Sequence, residues 1–215
     1  MLRLIPEKRG ALQVLCIGAH SDDIEIGCGG TILELTARRQ PVQVTWVVLS
    51  ANGEREREAR DSAQSFLKSA RRSDIRVGTF RDGYFPTQHT EVKDYFEQLK
   101  RDVTPDVVFT HAGADLHQDH RLVSELTWNT FRDHMILEYE VVKYDGGLGS
   151  PNAFVPVSRT NCRRKVQMLM RGFATQRSRR WFTEDTFMAL LRIRGIECNA
   201  PEGHAEAFYV RKFIL

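Results

Sequence analysis

The chain has 215 residues, of which 41% are hydrophobic and 27% are charged, an ordinary composition for a soluble globular protein. No window approaches the ~18 apolar residues that a membrane-spanning helix needs. The net charge of +3 is too small to indicate nucleic-acid binding. We therefore expect one globular domain over residues 1–215, without a membrane span and without a nucleic-acid partner.

The cysteines and the N-terminal segment bear on the cellular compartment. The four cysteines form no C-x-x-C pair and are too sparse for a disulfide scaffold. The first residues place charges and Pro6 where a secretion signal needs an uninterrupted apolar run. These features predict a cytoplasmic protein, and they leave open whether the chain forms a homo-oligomer.

Short apolar runs alternate with longer amphipathic segments along most of the chain. The predicted strands are residues 12–18, 42–49, 75–80, 106–110, 136–144 and 153–157. The predicted helices are residues 29–39, 54–70, 89–103, 120–134, 161–175 and 183–194. Strands separated by helices of this length favour a mostly parallel sheet with helices on both faces, a three-layer αβα sandwich.

The first predicted strand leads directly into His20-Ser21-Asp22-Asp23. In parallel sheets the ligand crevice lies beyond the carboxyl ends of the strands. His20 and Asp23 are three residues apart, so both can turn toward one ion, whereas Asp22 must point elsewhere and could be held over a metal-bound water. An Asp-Asp pair alone is more often a helix cap.

The fourth predicted strand leads into a second polar stretch, which contains His117, Asp119 and His120. His117 and His120 are three apart, so they share one face at the start of a helix, where one can ligate while the other stays free. A lone His-x-x-His is more often a solvated pair. Both stretches together supply the nitrogen and oxygen ligands of zinc, and three protein ligands with an open position describe a catalytic zinc site.

A glycine cluster, Gly27-x-Gly29-Gly30, follows the first stretch. It resembles part of a dinucleotide fingerprint, but Ile32 stands where the third glycine belongs and no Walker lysine follows. We therefore expect these glycines to let a helix approach the sheet closely.

The segments AHSDDIEIGCGGTI and LHQDHR together resemble the two zinc-binding motifs of the LmbE-like, or PIG-L, family of N-acetylglucosaminyl deacetylases. The segment that begins at Arg55, and the dipeptide Asp82-Gly83, resemble further family landmarks, as do Lys165, Thr175-Gln176 and Ala205-Glu206-Ala207-Phe208. The departures are Ser21 and Gln118, where proline is usual. The resemblance implies a Rossmann-like fold and hydrolysis of an acetamido group on an amino sugar, with zinc.

Carried over residue by residue, the resemblance implies a role for each residue of the two motifs. His20, Asp23 and His120 would ligate Zn²⁺, and Asp22 would be the general base. His117 would stabilise the oxyanion or protonate the leaving amine, and Asp119 would orient the His117 ring. The resemblance also implies that Arg55 binds substrate, although the charge run around it is typical of a solvated helix face.

We therefore expect a zinc-dependent hydrolase that removes the N-acetyl group from an N-acetylated sugar or sugar conjugate, nucleotide-linked sugars included. One alternative is a non-catalytic nucleotide- or sugar-binding module on a Rossmann-like scaffold. A second alternative is a zinc amidase that acts on an amide outside sugar chemistry.

Overall fold

The structure is a computed structural model that describes residues 10–213. The strands are β1 (Leu12–His20), β2 (Val42–Ser50), β3 (Arg72–Val77), β4 (Val107–His111), β5 (Met135–Tyr139), β6 (Ala153–Pro156) and β7 (Ala205–Tyr209). The α-helices are α1 (Asp23–Thr36), α2 (Gly53–Phe66), α3 (His89–Asp102), α4 (Gln118–Thr130), α5 (Arg159–Gly172) and α6 (Glu184–Glu197).

All these strands form one sheet in the order β3-β2-β1-β4-β5-β7-β6. The pairs from β3 to β5 are parallel, whereas β7 runs antiparallel to both β5 and β6. Apolar side chains of α1, α2, α5 and α6 pack on one face of the sheet, and those of α3 and α4 pack on the other. The predicted three-layer sandwich around a mostly parallel sheet is confirmed.

The helix α1 begins at Asp23, six residues earlier than predicted, and includes all three glycines of the cluster. A Cβ atom on Gly27 would lie 2.1 Å from the Tyr139 ring of β5, so only glycine fits where the helix crosses the sheet. The glycines therefore lie inside a closely packed helix rather than in a loop before it.

Three strands differ from their predicted form. Strand β5 ends at Tyr139 rather than at 144. Strand β3 starts at Arg72 rather than at 75, because it is an edge strand with little buried surface and therefore lacks a clear apolar run. Strand β7 was not predicted, since a buried charged residue, Glu206, interrupts its short apolar pattern.

The carboxyl ends of β1 and β4 meet in the middle of the sheet. From β1 the chain continues to β2 on one side, and β4 lies on the other side of β1. This is the point at which the strand order reverses, and ligands of open α/β sheets bind in the crevice that forms there. Both polar stretches follow these two strands, so the fold brings them to one place.

Within residues 10–213, no helix is long and apolar enough to cross a membrane. All four cysteines are buried and free. The prediction that the N-terminal residues are not a secretion signal concerns residues 1–9 in particular, and these lie outside the described residues. The cytoplasmic location therefore stays a prediction.

Candidate metal centre and active site

Three side-chain atoms form a small triangle at the crevice. His20 Nδ1 lies 3.2 Å from His120 Nε2, His20 Nδ1 lies 3.3 Å from Asp23 Oδ2, and His120 Nε2 lies 3.4 Å from Asp23 Oδ2. His20 is the last residue of β1, Asp23 is the first residue of α1, and His120 lies in the first turn of α4. The three residues come from separate elements and are almost fully buried.

The size of this triangle fits a tetrahedral metal ion. Two nitrogen or oxygen ligands, each about 2.0–2.2 Å from a tetrahedral zinc, are about 3.3–3.6 Å apart. Two imidazoles and one carboxylate are also the ligand types that a catalytic zinc site uses. The residues present therefore fit a metal of this class.

Carboxylates orient both histidine rings. His20 Nε2 lies 3.1 Å from Asp119 Oδ2 and 3.0 Å from Asp82 Oδ1, and His120 Nδ1 lies 3.0 Å from Asp115 Oδ2. A carboxylate accepts the N–H of each ring, so the other nitrogen of each ring, His20 Nδ1 or His120 Nε2, faces the triangle. Metal-binding histidines in proteins are commonly held in this way.

Protonation states in the triangle also suit a cation. Burial would raise the pKa of Asp23, but the neighbouring histidines, His120 foremost, hold it well below its ordinary value. Burial and the stacked His111 ring lower the pKa of His120 to about 3, so this imidazole is neutral. Burial would lower the pKa of His20, but Asp23 and the other nearby carboxylates raise it well above normal. The raised pKa means that His20 holds an additional proton when no metal ion is bound. Metal ions are bound by deprotonated ligands, so a cation in the triangle would take the place of that proton and its charge.

Asp22 directly precedes Asp23 in the chain and is not one of the three residues of the triangle. Its Oδ1 accepts a hydrogen bond from Arg55 Nη2 at 3.2 Å, while its buried Oδ2 has no hydrogen-bond partner among residues 10–213. Burial raises the pKa of Asp22 to about 6, although the Arg55 guanidinium opposes the shift. One oxygen is thus held in place and the other is free to accept a proton.

His117 is the N-cap residue of α4, and its ring lies at the edge of the triangle. The ring centroids of His117 and His20 are 4.9 Å apart, and those of His117 and His120 are 4.6 Å apart. Its Nδ1 accepts the backbone N–H of Asp119 at 3.2 Å, which satisfies one free donor at the helix start. His117 is partly exposed, so its ring lies between the buried triangle and the solvent.

The position of the Asp119 carboxylate corrects one prediction. We expected this group to orient the His117 ring, but it bonds to His20 Nε2 and to the backbone N–H groups of Gly83 at 2.6 Å and Phe85 at 3.0 Å. Asp119 is completely buried because α4 turns it under the loop after β3. It therefore orients His20, a member of the triangle, instead.

His111, the last residue of β4, is completely buried. Its Nε2 accepts the backbone N–H of Ala19 at 3.0 Å, and its ring stacks on His120 with centroids 3.8 Å apart. Its Nε2 also lies 3.3 Å from Asp23 Oδ2. The bond from Ala19 uses the lone pair of Nε2, so His111 packs against His120 and Asp23 of the triangle while its Nε2 is occupied.

A buried ion pair lies under α1. Lys165 Nζ bonds to Glu206 Oε1 at 2.6 Å and to the carbonyl oxygen of Ile26 at 2.6 Å. The two oxygens of Glu206 also accept the backbone N–H groups of Gly30 at 2.7 Å and Thr31 at 2.6 Å. The pair thus binds α5 and β7 to the helix that carries Asp23.

Asp115 and Lys143 belong to the site although the sequence did not predict them there. Lys143 Nζ lies 2.7 Å from Asp115 Oδ2, and Asp115 Oδ1 accepts the backbone N–H of His117 at 2.8 Å. Asp115 stands five residues before His120, a spacing with no helical or strand period, and Lys143 lies in a loop. Only the proximity of Asp115 to the histidine motif could have suggested it.

A comparison with protein families agrees with this geometry. Residues 15–131 match the family model described as PIG-L, GlcNAc-PI de-N-acetylase, which is more than half of the chain. The chain belongs to the PIG-L family. The match includes both polar stretches and ends just after α4.

Solved structures of other proteins share the fold over nearly the whole chain. The conserved protein TT1542 from Thermus thermophilus has 22% identity and a TM-score of 0.69, covering 95% of this chain and 96% of its own. The 4-carboxy-2-hydroxymuconate hydratase GalB from Pseudomonas putida has 16% identity and a TM-score of 0.74, covering 95% and 98%. The N,N'-diacetylchitobiose deacetylase from Pyrococcus horikoshii has 19% identity and a TM-score of 0.65, covering 92% and 83%. A hydratase and a deacetylase both share this fold, so the reaction must be argued from the site.

Proposed function

We propose that this PIG-L family protein is a zinc-dependent N-deacetylase that hydrolyses the acetamido group of an N-acetylated sugar or sugar conjugate. The observation that carries the proposal is the triangle of His20, Asp23 and His120, which stands next to an Asp22 oxygen without a partner among the described residues. A ligand set and a proton acceptor are thus held at one place, as hydrolysis of an unactivated amide requires.

When bound by these three residues, zinc would supply Lewis-acid activation of the attacking water and of the amide oxygen. Asp22 Oδ2 accepts the proton of that water, while Arg55 holds Oδ1 and so fixes the direction of the free oxygen. General base catalysis of this kind is worth roughly 10²- to 10⁴-fold in rate.

His117 acts on the opposite end of the breaking bond. Cleavage of the C–N bond leaves a nitrogen that must gain a proton before it departs as an amine. The ring of His117 is partly exposed and close to both ligand histidines, so it can donate that proton or bind the negative oxygen that forms first. The products are acetate and a free amine, and one water is consumed.

Arg55 is placed to contact the substrate as well as the base. Its side chain is about one third exposed at the start of α2, and it also approaches Ser21 Oγ at 3.3 Å. A guanidinium has five N–H donors, so those not used by Asp22 and Ser21 remain for sugar hydroxyls.

The test is acetate release from a panel of N-acetylated sugars by the zinc-loaded protein. Asp22→Asn should keep zinc but lose most turnover, because the amide cannot accept the proton. His120→Ala should lose zinc as well as turnover, and the metal content is read by atomic spectroscopy. Full hydrolysis by either variant would refute the assignment.

The same panel separates the alternatives. A non-catalytic sugar- or nucleotide-binding module would bind members of the panel without releasing acetate. An amidase outside sugar chemistry would release acid only from non-sugar amides. A hydratase, the reaction of one protein with this fold, would leave the acetyl group in place while adding water to a carbon–carbon double bond.

A further inference from the structure

The positive charge of the chain is concentrated in one segment. Residues 159–183 contain eight arginines and lysines and no aspartate or glutamate, whereas the rest of the chain has more acidic than basic side chains. Lys165 is the one member of this set that is buried, and Glu206 neutralises it. The remaining charges lie at least partly at the surface, so the slight net charge hides a strongly basic region.

Part of this region crosses the mouth of the candidate active site. We name residues 174–180, which run from a short 3-10 helix into the turn after it, the basic strap. At one end, Glu58 of α2 accepts hydrogen bonds from the backbone N–H of Thr175 at 2.9 Å and from its Oγ1 at 2.6 Å. Glu58 lies one helical turn after Arg55. This end of the basic strap is therefore bound beside Arg55, the residue that donates a hydrogen bond to Asp22.

The other end of the basic strap is anchored across the crevice. The backbone N–H of Arg180 bonds to the Tyr144 hydroxyl at 3.0 Å. Tyr144 follows Lys143 in the chain. Lys143 bonds to the Asp115 carboxylate, which in turn orients the His120 ring. The basic strap therefore spans the site from α2 to the loop after β5.

Two arginines of the basic strap have free side chains. The Arg177 guanidinium folds back onto the carbonyl oxygens of Met170 and Arg171 at the end of α5. Arg179 and Arg180 are exposed, and within residues 10–213 neither side chain has a hydrogen bond or an ion pair. Both guanidinium groups therefore keep all their N–H donors for an anion.

We propose that Arg179 and Arg180 bind a phosphate-bearing part of the same molecule whose acetamido group reaches the metal centre. This inference rests on the proposed deacetylase function and narrows its substrate class to phosphorylated or nucleoside-diphosphate-linked N-acetyl sugars. Guanidinium groups match phosphate oxygens with paired hydrogen bonds, which an uncharged sugar cannot provide.

A small anionic ligand explains the arrangement better than a polymer does. A nucleic acid needs a basic stripe several phosphates long. Here Arg163 and Arg164 lie in the first turns of α5, which starts beside Glu34 near the end of α1 and so at the opposite end of the sheet from the crevice. The two free arginines of the basic strap suit one or two phosphate groups.

The test compares the double variant Arg179→Ala/Arg180→Ala with the matched control Arg163→Ala/Arg164→Ala, which removes the same charge far from the mouth. The probes are UDP-N-acetylglucosamine, N-acetylglucosamine 1-phosphate and the uncharged methyl glycoside of N-acetylglucosamine. Dissociation constants are measured by calorimetry on zinc-loaded protein that carries Asp22→Asn, and KM and kcat are measured by acetate release on protein that retains Asp22.

We expect the double variant to weaken binding of both phosphorylated probes by about tenfold to a hundredfold, the usual range for lost hydrogen bonds to charged groups. Its constants for the methyl glycoside, its kcat and its melting temperature should not change, and the control should behave as the parent protein. Binding of the phosphorylated probes should also weaken as salt is raised.

The outcomes separate the two proposals. If the double variant binds all three probes as the parent protein does, the phosphate site is overturned while deacetylation stands. If no probe loses acetate but the phosphorylated probes still bind through these arginines, the proposed reaction fails and the anion site remains. If the control pair weakens binding equally, the effect is one of net charge and the assignment to the basic strap is wrong.

Discussion

Removing the charge of Glu206 should destabilise the protein strongly. Lys165 and Glu206 are 3% and 4% exposed, and each lies within hydrogen-bond distance of backbone groups in α1. In Glu206→Gln the lysine stays buried without a counter-ion. One side-chain oxygen becomes an NH₂ group, which faces a backbone N–H where a hydrogen-bond acceptor is needed.

The expected loss follows from these contacts. Breaking a buried pair by removing one partner costs about 3–5 kcal/mol, which in a chain of this size lowers the melting temperature by about 10 °C. Lys165→Met should cost less, about 2 kcal/mol, because the carboxylate keeps its two backbone donors. The double variant should cost less than the sum of the single variants by about 1–3 kcal/mol, since no unpaired charge is left.

The assay is urea unfolding followed by circular dichroism, which gives the free energy of unfolding of the parent, both single variants and the double variant. Equal m-values for all four proteins are the condition for comparing them. Single-variant losses that add within about 0.5 kcal/mol would show that the two side chains do not interact, and the reasoning would be refuted.

Further predictions concern the metal centre and α1. Asp115→Asn should lower zinc affinity by about tenfold to a hundredfold in a competition titration, because a ligand ring loses its orienting carboxylate. Gly27→Ala should cost about 1–3 kcal/mol in chemical unfolding through its clash with Tyr139, while Gly172→Ala, whose added Cβ meets only ordinary contacts, should cost nothing. Zinc at about a hundredfold excess over its Kd should raise thermal stability by about 2.7 kcal/mol, and Asp23→Ala should abolish that gain.

The local pattern of the sequence determined the layers of the fold and the chemistry available at the site. Strands β1, β2 and β4 are buried on both faces, so their sequences are nearly continuous apolar runs that can be recognised without partners. Parallel strands end at one edge of the sheet, so the polar stretches after β1 and β4 had to lie close together. Donor type and the spacing of three between His20 and Asp23 then suggested a metal.

Tertiary structure decided which groups orient those donors. Asp119 lies 99 residues from His20, and Lys143 lies 28 residues from Asp115, yet each pair is in direct contact. No periodicity links residues so far apart, because their distance depends on how helices and loops pack. The same holds for β7, whose pairing with β5 and β6 comes from packing and not from its own pattern.

The sequence by itself thus determined a mostly parallel α/β sheet with nitrogen and oxygen ligands at its central crevice. Only the tertiary structure decided that the Asp119 carboxylate bonds to His20 rather than to His117, and that the basic strap is bound to Glu58 at one end and to Tyr144 at the other. The physical reason is the separation of the interacting residues along the chain. Apolar runs and helical spacing reflect contacts between residues that are close in sequence. A site is completed by contacts between residues that are far apart in sequence, and these form only when distant segments fold onto one another.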